Sequence, residues 1–341
     1  MKLGIIAHGI CCAVGHHARA ANAALRARMN HFRETEFIDD TGQPIVGSSL
    51  YAVEQWGEAR LHTMFHAVLG ECCAQLPDSI HNHECAILLL CAETSSADVR
   101  HAWADHMLDR TLQAGQFHAA SDVLPLGKAG IVQALQEAQR LFSLAAPPRY
   151  VIIAGVDNYL DAAVIDDMLA QERLMTSTNS DGFIPGEAAA SILLINGEVT
   201  REPAAPMLWI EGIGEADEAA RIGEATPQRA QALCAAMRAA SSQAQCQIAD
   251  LSFHASGFSG EAWYARENGL ALSRVLEKRV AHFPHYIVSQ FVGEIGAACA
   301  PLCLAWLADV MPRVDGPGQR GLLHFANDQG KRAALVVRYG I

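Results

Sequence analysis

The sequence predicts an α/β fold built from two successive halves, and three observations predict it. Short apolar runs alternate with alanine-rich amphipathic segments along the whole chain, the order expected of strands and helices in turn. Several of those runs are continuously apolar, as in strands buried on both faces of a parallel sheet. The 341 residues have room for about two domain-sized units. They are 51% hydrophobic but only 6% aromatic, so small aliphatic side chains must fill the interior.

The elements follow in order. Residues 2–10 form an apolar strand, and 17–29 have helical spacing rich in Ala, Leu and Arg. Residues 54–75 read as a second helix and 85–91 as a strand buried on both faces. Residues 98–112 and 127–142 are helical; the latter places Ile131, Leu135, Ala138 and Leu141 on one face. Pro147-Pro148 ends that helix before a strand at 150–156. A helix at 162–171 and a strand at 188–195 complete the first half, 1–200, with Gly197 and Arg201-Glu202-Pro203 as the boundary. The second half, 206–341, begins with a strand at 208–213 and an Ala-rich helix at 228–242. Strands at 250–253 and 286–289 then alternate with helices at 261–278 and 296–310. The chain closes on a hairpin of 321–326 and 333–339.

Composition narrows the partners. Lys plus Arg number 25 against 37 Asp plus Glu, a net charge of −12, which disfavours nucleic acid and anionic membrane. No apolar run reaches the roughly 18 residues of a membrane span. The apolar start breaks at Gly15-His16-His17 instead of leading to a cleavage site, so a cytoplasmic protein is expected. Ten cysteines fit that reading if reduced; Cys85, Cys91, Cys299 and Cys303 lie in apolar runs as small buried hydrophobes. Cys11-Cys12 and Cys72-Cys73 have no zinc-ligand spacing, no Cys-x-x-Cys occurs, and His81-Asn82-His83 reads as a solvated turn. No metal site and no cofactor are expected. Gly212-Ile-Gly214 lacks the third glycine of a dinucleotide fingerprint and reads as a turn.

One segment carries most of the functional signal. Residues 150–159 end a buried strand in Ala154-Gly155-Val156-Asp157, and Arg173-Leu174 follow. Residues 179–187 then read Asn-Ser-Asp-Gly-Phe-Ile-Pro-Gly-Glu before the next apolar strand. Together they resemble the β-ketoacyl synthases of the thiolase-like superfamily, where a strand ending in Gly-Gly or Gly-Val precedes an Arg-Asp-Gly-Phe-x-x-Gly-Glu-Gly-Ala loop. Other stretches fall in the same order. Residues 9–15 match the opening strand and turn, 253–261 the His-Gly-Thr-Gly-Thr loop, and 290–298 the Gly-His-x-x-Gly-Ala-Ala-Gly stretch. Residues 327–337 fall where a Gly-Phe-Gly-Gly turn precedes the last strand. The resemblance implies a thiolase-like fold: duplicated βαβαβαββ units in a five-layer α-β-α-β-α sandwich, usually a homodimer.

It also implies a chemistry that this sequence does not supply. Decarboxylative condensation needs a thiolate at a helix N-terminus, two imidazoles and oxyanion donors. The nucleophile position falls on Lys128, and no cysteine lies between Cys91 and Cys234. Lys128 has two readings: an acyl-accepting or Schiff-base amine whose pKa the helix dipole lowers, or a solvated lysine or anion contact. The first imidazole position falls on His254, just after the expected strand 250–253; the alternative is a histidine satisfied by a neighbouring carbonyl. The second falls on Glu294, either a general base or a cap for the following helix. The same resemblance makes Phe183 and Phe291 substrate contacts. The closing loop, Asp328 to Arg332, brings charge where the family has its gating phenylalanine. Ser121 and Ser95-Ser96 lie near strand ends as other nucleophiles, but no Gly-x-Ser-x-Gly elbow is present.

Two functional readings result. One is a degenerate ketosynthase-like protein without condensing activity, serving as a partner subunit, scaffold or accessory protein in a biosynthetic or bacterial secretion module. It would be a homodimer, or a heterodimer with a ketosynthase-like or accessory protein. The other is an acyl-thioester-processing enzyme (an acyltransferase, decarboxylase or hydrolase acting on acyl-CoA or acyl-ACP) that uses His254, Glu294 and Lys128. An acyl carrier protein, itself acidic, would need a basic patch to dock, with Arg100, Arg110, Arg140 and Arg149 as candidates.

Overall fold

The computed structural model describes residues 2–51, 53–77, 80–93, 102–198 and 205–341. Ser95, Ser96, Arg100, the 98–101 start of one expected helix and the boundary at 201–203 lie outside the described residues. The first half runs β1 (Leu3–Cys12), α1 (Ala18–Arg26), β2 (Arg33–Ile38), β3 (Pro44–Gly47), α2 (Gly57–Cys73) and β4 (Cys85–Leu90). It continues with α3 (Ala102–Gly115), β5 (Asp122–Leu124), α4 (Ile131–Leu141), β6 (Tyr150–Asn158), α5 (Ala162–Ala170) and β7 (Glu187–Asn196). The second half runs β8 (Met207–Asp217), α6 (Gln231–Gln243), β9 (Phe253–Ser256), α7 (Ala262–Val275) and β10 (His285–Ile287). It closes with α8 (Ser289–Val292), α9 (Cys299–Val310), β11 (Arg320–Ala326) and β12 (Lys331–Gly340). Local chemistry sets the helix starts. The His17 imidazole accepts the Ala20 N–H at 3.3 Å before α1, and the Asp161 carboxylate accepts that of Ala163 at 3.0 Å before α5.

The ten long-range strands follow the order β10-β9-β11-β12-β8-β1-β7-β6-β4-β5, and the order contains a repeat. In the first half β4 is parallel to β5 and β6, while β7 is antiparallel to β6 and β1. In the second half β9 is parallel to β10 and β11, while β12 is antiparallel to β11 and β8. The two five-stranded sets thus have one topology, and they join where Leu3–Ile5 of β1 pair antiparallel with Ile210–Leu208 of β8.

Alternation along each strand sorts side chains into layers. Ala86, Leu88 and Leu90 of β4 join Val151 and Ile153 of β6 in a central core with α4 and α9. Phe253 and Ala255 of β9 and Leu323 and Phe325 of β11 close that same core from the other side. The intervening residues Ile87, Leu89, Ile152 and Ala154 face α2 and α3 instead. Leu322, Ala334 and Val336 face α6 and α7. Helices, sheet, helices, sheet and helices therefore form five layers, with α4 and α9 in the middle. Gly155 permits the tightest part of this packing: a Cβ there would lie 2.2 Å from the Ala297 carbonyl oxygen, just before α9.

Several elements depart from the sequence reading, among them Ser289, expected in a strand but the first residue of α8. The β2–β3 ribbon was not expected, because the exposed charges Arg33, Glu34 and Glu36 break its apolar pattern. The short strand β5 was not expected either; its three residues are too few to leave a periodic signal. The strand expected at 250–253 begins three residues later, since Ile248–Asp250 form a 3-10 turn and Phe253–Ser256 pair with Gly321–His324 of β11. Among the described residues no helix is long and apolar enough to cross a membrane, and none of the ten cysteines forms a disulfide.

A buried ion pair anchors the outer helix α2 to β7. Arg60 Nε and Nη2 each donate to a different Glu187 carboxylate oxygen at 2.5 Å, and the Leu50 N–H donates to Glu187 at 2.7 Å. Both side chains are buried, so removing one leaves the other charged without a partner. Glu187→Ala should therefore cost roughly 3–5 kcal/mol, and the double change Arg60→Met with Glu187→Leu should cost much less than Glu187→Ala alone. Chemical denaturation of the three proteins checks this; equal losses for the single and double variants would contradict it.

Candidate functional site

The site forms where the two halves face each other at the ends of their strands. After β5 the chain turns at Gly127, with φ of 60°, into a 3-10 turn over Gly127–Gly130 that leads into α4. Lys128 leaves this turn inward. Its Nζ donates to Glu294 Oε2 at 2.5 Å and to the Gly257 carbonyl at 3.2 Å. Glu294 is fixed by its own backbone: its N–H donates to the Ile184 carbonyl at 2.8 Å, and its carbonyl accepts the Gly186 N–H at 3.0 Å. Its second carboxylate oxygen accepts the Gly296 N–H at 2.8 Å, at the turn that opens α9. The capping reading of Glu294 thus holds, and the same carboxylate also neutralises Lys128.

This pairing decides the state of the lysine. Burial disfavours an ammonium, but the Glu294 carboxylate outweighs burial and raises the Lys128 pKa above its ordinary value. The expectation of a lowered pKa at the helix start is corrected: the local carboxylate dominates the dipole. Lys128 donates a hydrogen bond to a carboxylate, an arrangement that favours its ammonium form. Cys299, at the start of α9, comes close to the same place. Its Sγ lies 3.4 Å from where a Cβ on Gly257 would sit, as close as the Lys128 side chain at 3.3 Å.

Beside this pair lies a second group of charges. Arg173 donates to both Glu261 oxygens at 2.7 and 2.8 Å and to both Asp328 oxygens at 2.6 and 3.3 Å. Tyr264 also donates to Asp328. Burial opposes the Asp328 charge, yet Arg173 and the Tyr264 hydroxyl hold its pKa below the usual carboxylate range. The Asp157 carboxylate accepts the Ala297 N–H at 3.0 Å. Phe183 is buried against Ile45, Ile165, Met168 and Leu174, with the Tyr159 ring edge-on at 5.4 Å. What remains between Lys128, Glu294, Arg173, Asp157, Asp328 and Phe183 is a cavity of about 20 Å³, room for one water molecule. The sequence reading missed Asp157, Tyr159 and Glu261 as participants. Asp157 and Tyr159 stand inside the quoted strand end, but nothing in the sequence couples Glu261 to Arg173.

His254 does not join this group. Because β9 begins three residues late, His254 lies within the strand and not in the loop after it. It sits three residues before Gly257, roughly 10 Å along an extended chain. The residue that shares a small cavity with Lys128 at this strand end is Ser256. Its hydroxyl lies 2.7 Å from His285 Nε2. His254 instead stacks on His285 at 4.0 Å between ring centroids and lies 5.8 Å from His324. Burial lowers all three pKa values: His254 to about 3, His285 to about 4 and His324 well below its ordinary value. Phe291 is also elsewhere, lining a separate groove of about 270 Å³ with His285, Tyr286 and Trp306. Structure thus unites Lys128 with Glu294 and places Phe183 beside them, while His254 and Phe291 stand apart.

No protein-family model matches the sequence, and no curated protein matches it. Solved structures do match over the whole chain. An oxazolomycin ketosynthase domain from Streptomyces albus superposes with a TM-score of 0.80 at 13% identity, over 100% of this chain and 75% of that one. A chain of a type II polyketide ketosynthase complex with its acyl carrier protein gives 0.78 at 14% identity, over 99% and 98%. A chain of a ketosynthase–chain length factor complex from Xenorhabdus doucetiae gives 0.70 at 16% identity, over 99% and 98%. With the repeated strand order and the five layers described above, these matches identify the thiolase-like fold of ketosynthases and chain length factors as the fold of this chain.

Proposed function

We propose that this protein is a ketosynthase-like subunit that does not condense acyl chains and instead acts through a protein partner. The Lys128–Glu294 ion pair carries the reading. It occupies the positions where the resemblance puts the nucleophile and the second imidazole, and it consumes the charge of both groups. An ammonium cannot attack a thioester, and an ionised carboxylate cannot donate to an oxyanion. Among the described residues the cavity beside the pair is about 20 Å³, too small for an acyl chain. The alternative, an acyl-thioester-processing enzyme, needs His254 and Glu294 to act together, and the late start of β9 works against it.

The partner is proposed to be a second copy of this chain or a ketosynthase-like protein. Complexes of ketosynthases with chain length factors among the structural matches favour this class. The edge of the sheet at β5 offers a place: among the described residues β5 pairs with β4 alone, and the Val123 N–H donates to the Asp122 side chain at 2.8 Å. A partner strand could take that donor over. Docking of an acyl carrier protein has less support. Arg140 pairs with Glu137 at 2.6 Å and Arg149 with Glu84 at 3.4 Å, which cancels much of the proposed basic patch.

Two measurements test this. Intact-mass spectrometry after incubation with acyl-CoA or acyl-ACP should find no acyl adduct; a stable acyl group on Lys128, Cys299 or any other residue would make the protein a working catalyst. Light scattering should give a dimer for the wild type and a monomer for Val123→Pro, which removes the edge donor. A wild-type monomer, or a dimer unaffected by the proline, would exclude self-association through β5.

A further inference from the structure

Three parallel strands of the second half bring three histidines onto one face. His285 of β10 lies in register with His254 of β9, while His324 of β11 pairs with Ser256, two residues further along β9. Side chains at alternate positions share a face, so the three imidazoles stand together, on the side that packs against α6 and α7. One ring nitrogen from each lies within 4.8 Å of the others. His254 and His324 are only 4% and 5% exposed, and His254 Nδ1 and His324 Nε2 have no hydrogen-bond partner. A buried imidazole nitrogen without a partner is costly, and here two such nitrogens belong to rings of one cluster.

We propose that His254, His285 and His324 form a binding site for a divalent transition metal of the zinc class. Imidazole is the ligand type such ions favour, and it binds them in the neutral form that burial imposes here. The sequence reading excluded a metal because it looked for closely spaced ligands; these three come from three separate strands. The rings now lie nearly parallel, His254 at 15° to His285 and 13° to His324. Tetrahedral zinc needs ligand nitrogens roughly 3.4 Å apart, so binding must turn the rings and draw them inward by about 1 Å. The Ser256 hydroxyl, already on His285 Nε2, is placed to hold that ring as an outer partner.

A second, exposed pair must be separated in the test. His62 and His66 stand one turn apart on α2 with their Nε2 atoms 3.0 Å apart, a geometry that also chelates metals. The experiment therefore starts from H62A/H66A, titrated with Co²⁺ and followed by the visible spectrum, then with Zn²⁺ to displace it. One equivalent should bind, with the spectrum of a low-symmetry cobalt site. Adding His285→Ala, or His285→Asn if the alanine variant fails to fold by circular dichroism, should weaken binding about tenfold or more. No binding by H62A/H66A would overturn the proposal, because all affinity would then belong to the surface pair. Equal affinity with and without His285 would overturn it as well.

Discussion

Two sheets packed on opposite sides of the same helices create a central layer in which no charge can stand alone. Taking an ion out of water costs several kcal/mol unless a partner and further hydrogen bonds compensate it. Two charge clusters at the junction illustrate this. Lys128 comes from the first half and meets Glu294 and the Gly257 carbonyl from the second. Arg173 likewise reaches across to Glu261 and Asp328. These pairs fix how the two repeats sit against each other, because breaking either strands a buried charge. The glycines nearby follow from the same closeness: at Gly296, φ is 47° and a Cβ would collide with the Asp157 carboxylate.

That constraint also bears on chemistry. A condensing site has to hold an uncompensated reactive group and keep space for an acyl chain. Around Lys128 and Glu294 the described groups pair with one another, and the cavity between them has space for about one water molecule. The likeness to ketosynthases, at 13–16% identity, is a likeness of fold, and fold alone does not carry function. What the chain does must be argued from its own side chains.

Two further features lie toward the ends of the sheet. At one end is β5, whose Val123 N–H donates to the Asp122 carboxylate at 2.8 Å. Toward the other end, β10, β9 and β11 leave two buried imidazole nitrogens without partners. Both ends are capped by strands of three residues, short enough to limit indiscriminate pairing yet open to a specific one.

Much of this was legible in the sequence. The alternation of apolar runs and amphipathic segments reflects burial, and burial is a local property of composition and spacing, so strands such as β4 and β6 and helices such as α4 could be read directly. The glycine-rich segment before Glu187 identified the fold, because close backbone approach restricts which residues fit there. Motif order singled out Lys128 and Glu294 as site positions, but not that they pair with each other. Other features needed the tertiary structure. Strand register is set by hydrogen bonds to neighbours, so only pairing with β11 could move His254 from a loop into β9 and leave Ser256 at its end. Ion pairs such as Arg173 with Glu261, and the gathering of His254, His285 and His324, join residues distant in sequence. No local pattern records such contacts, because they arise only when separate strands and the two repeats come together.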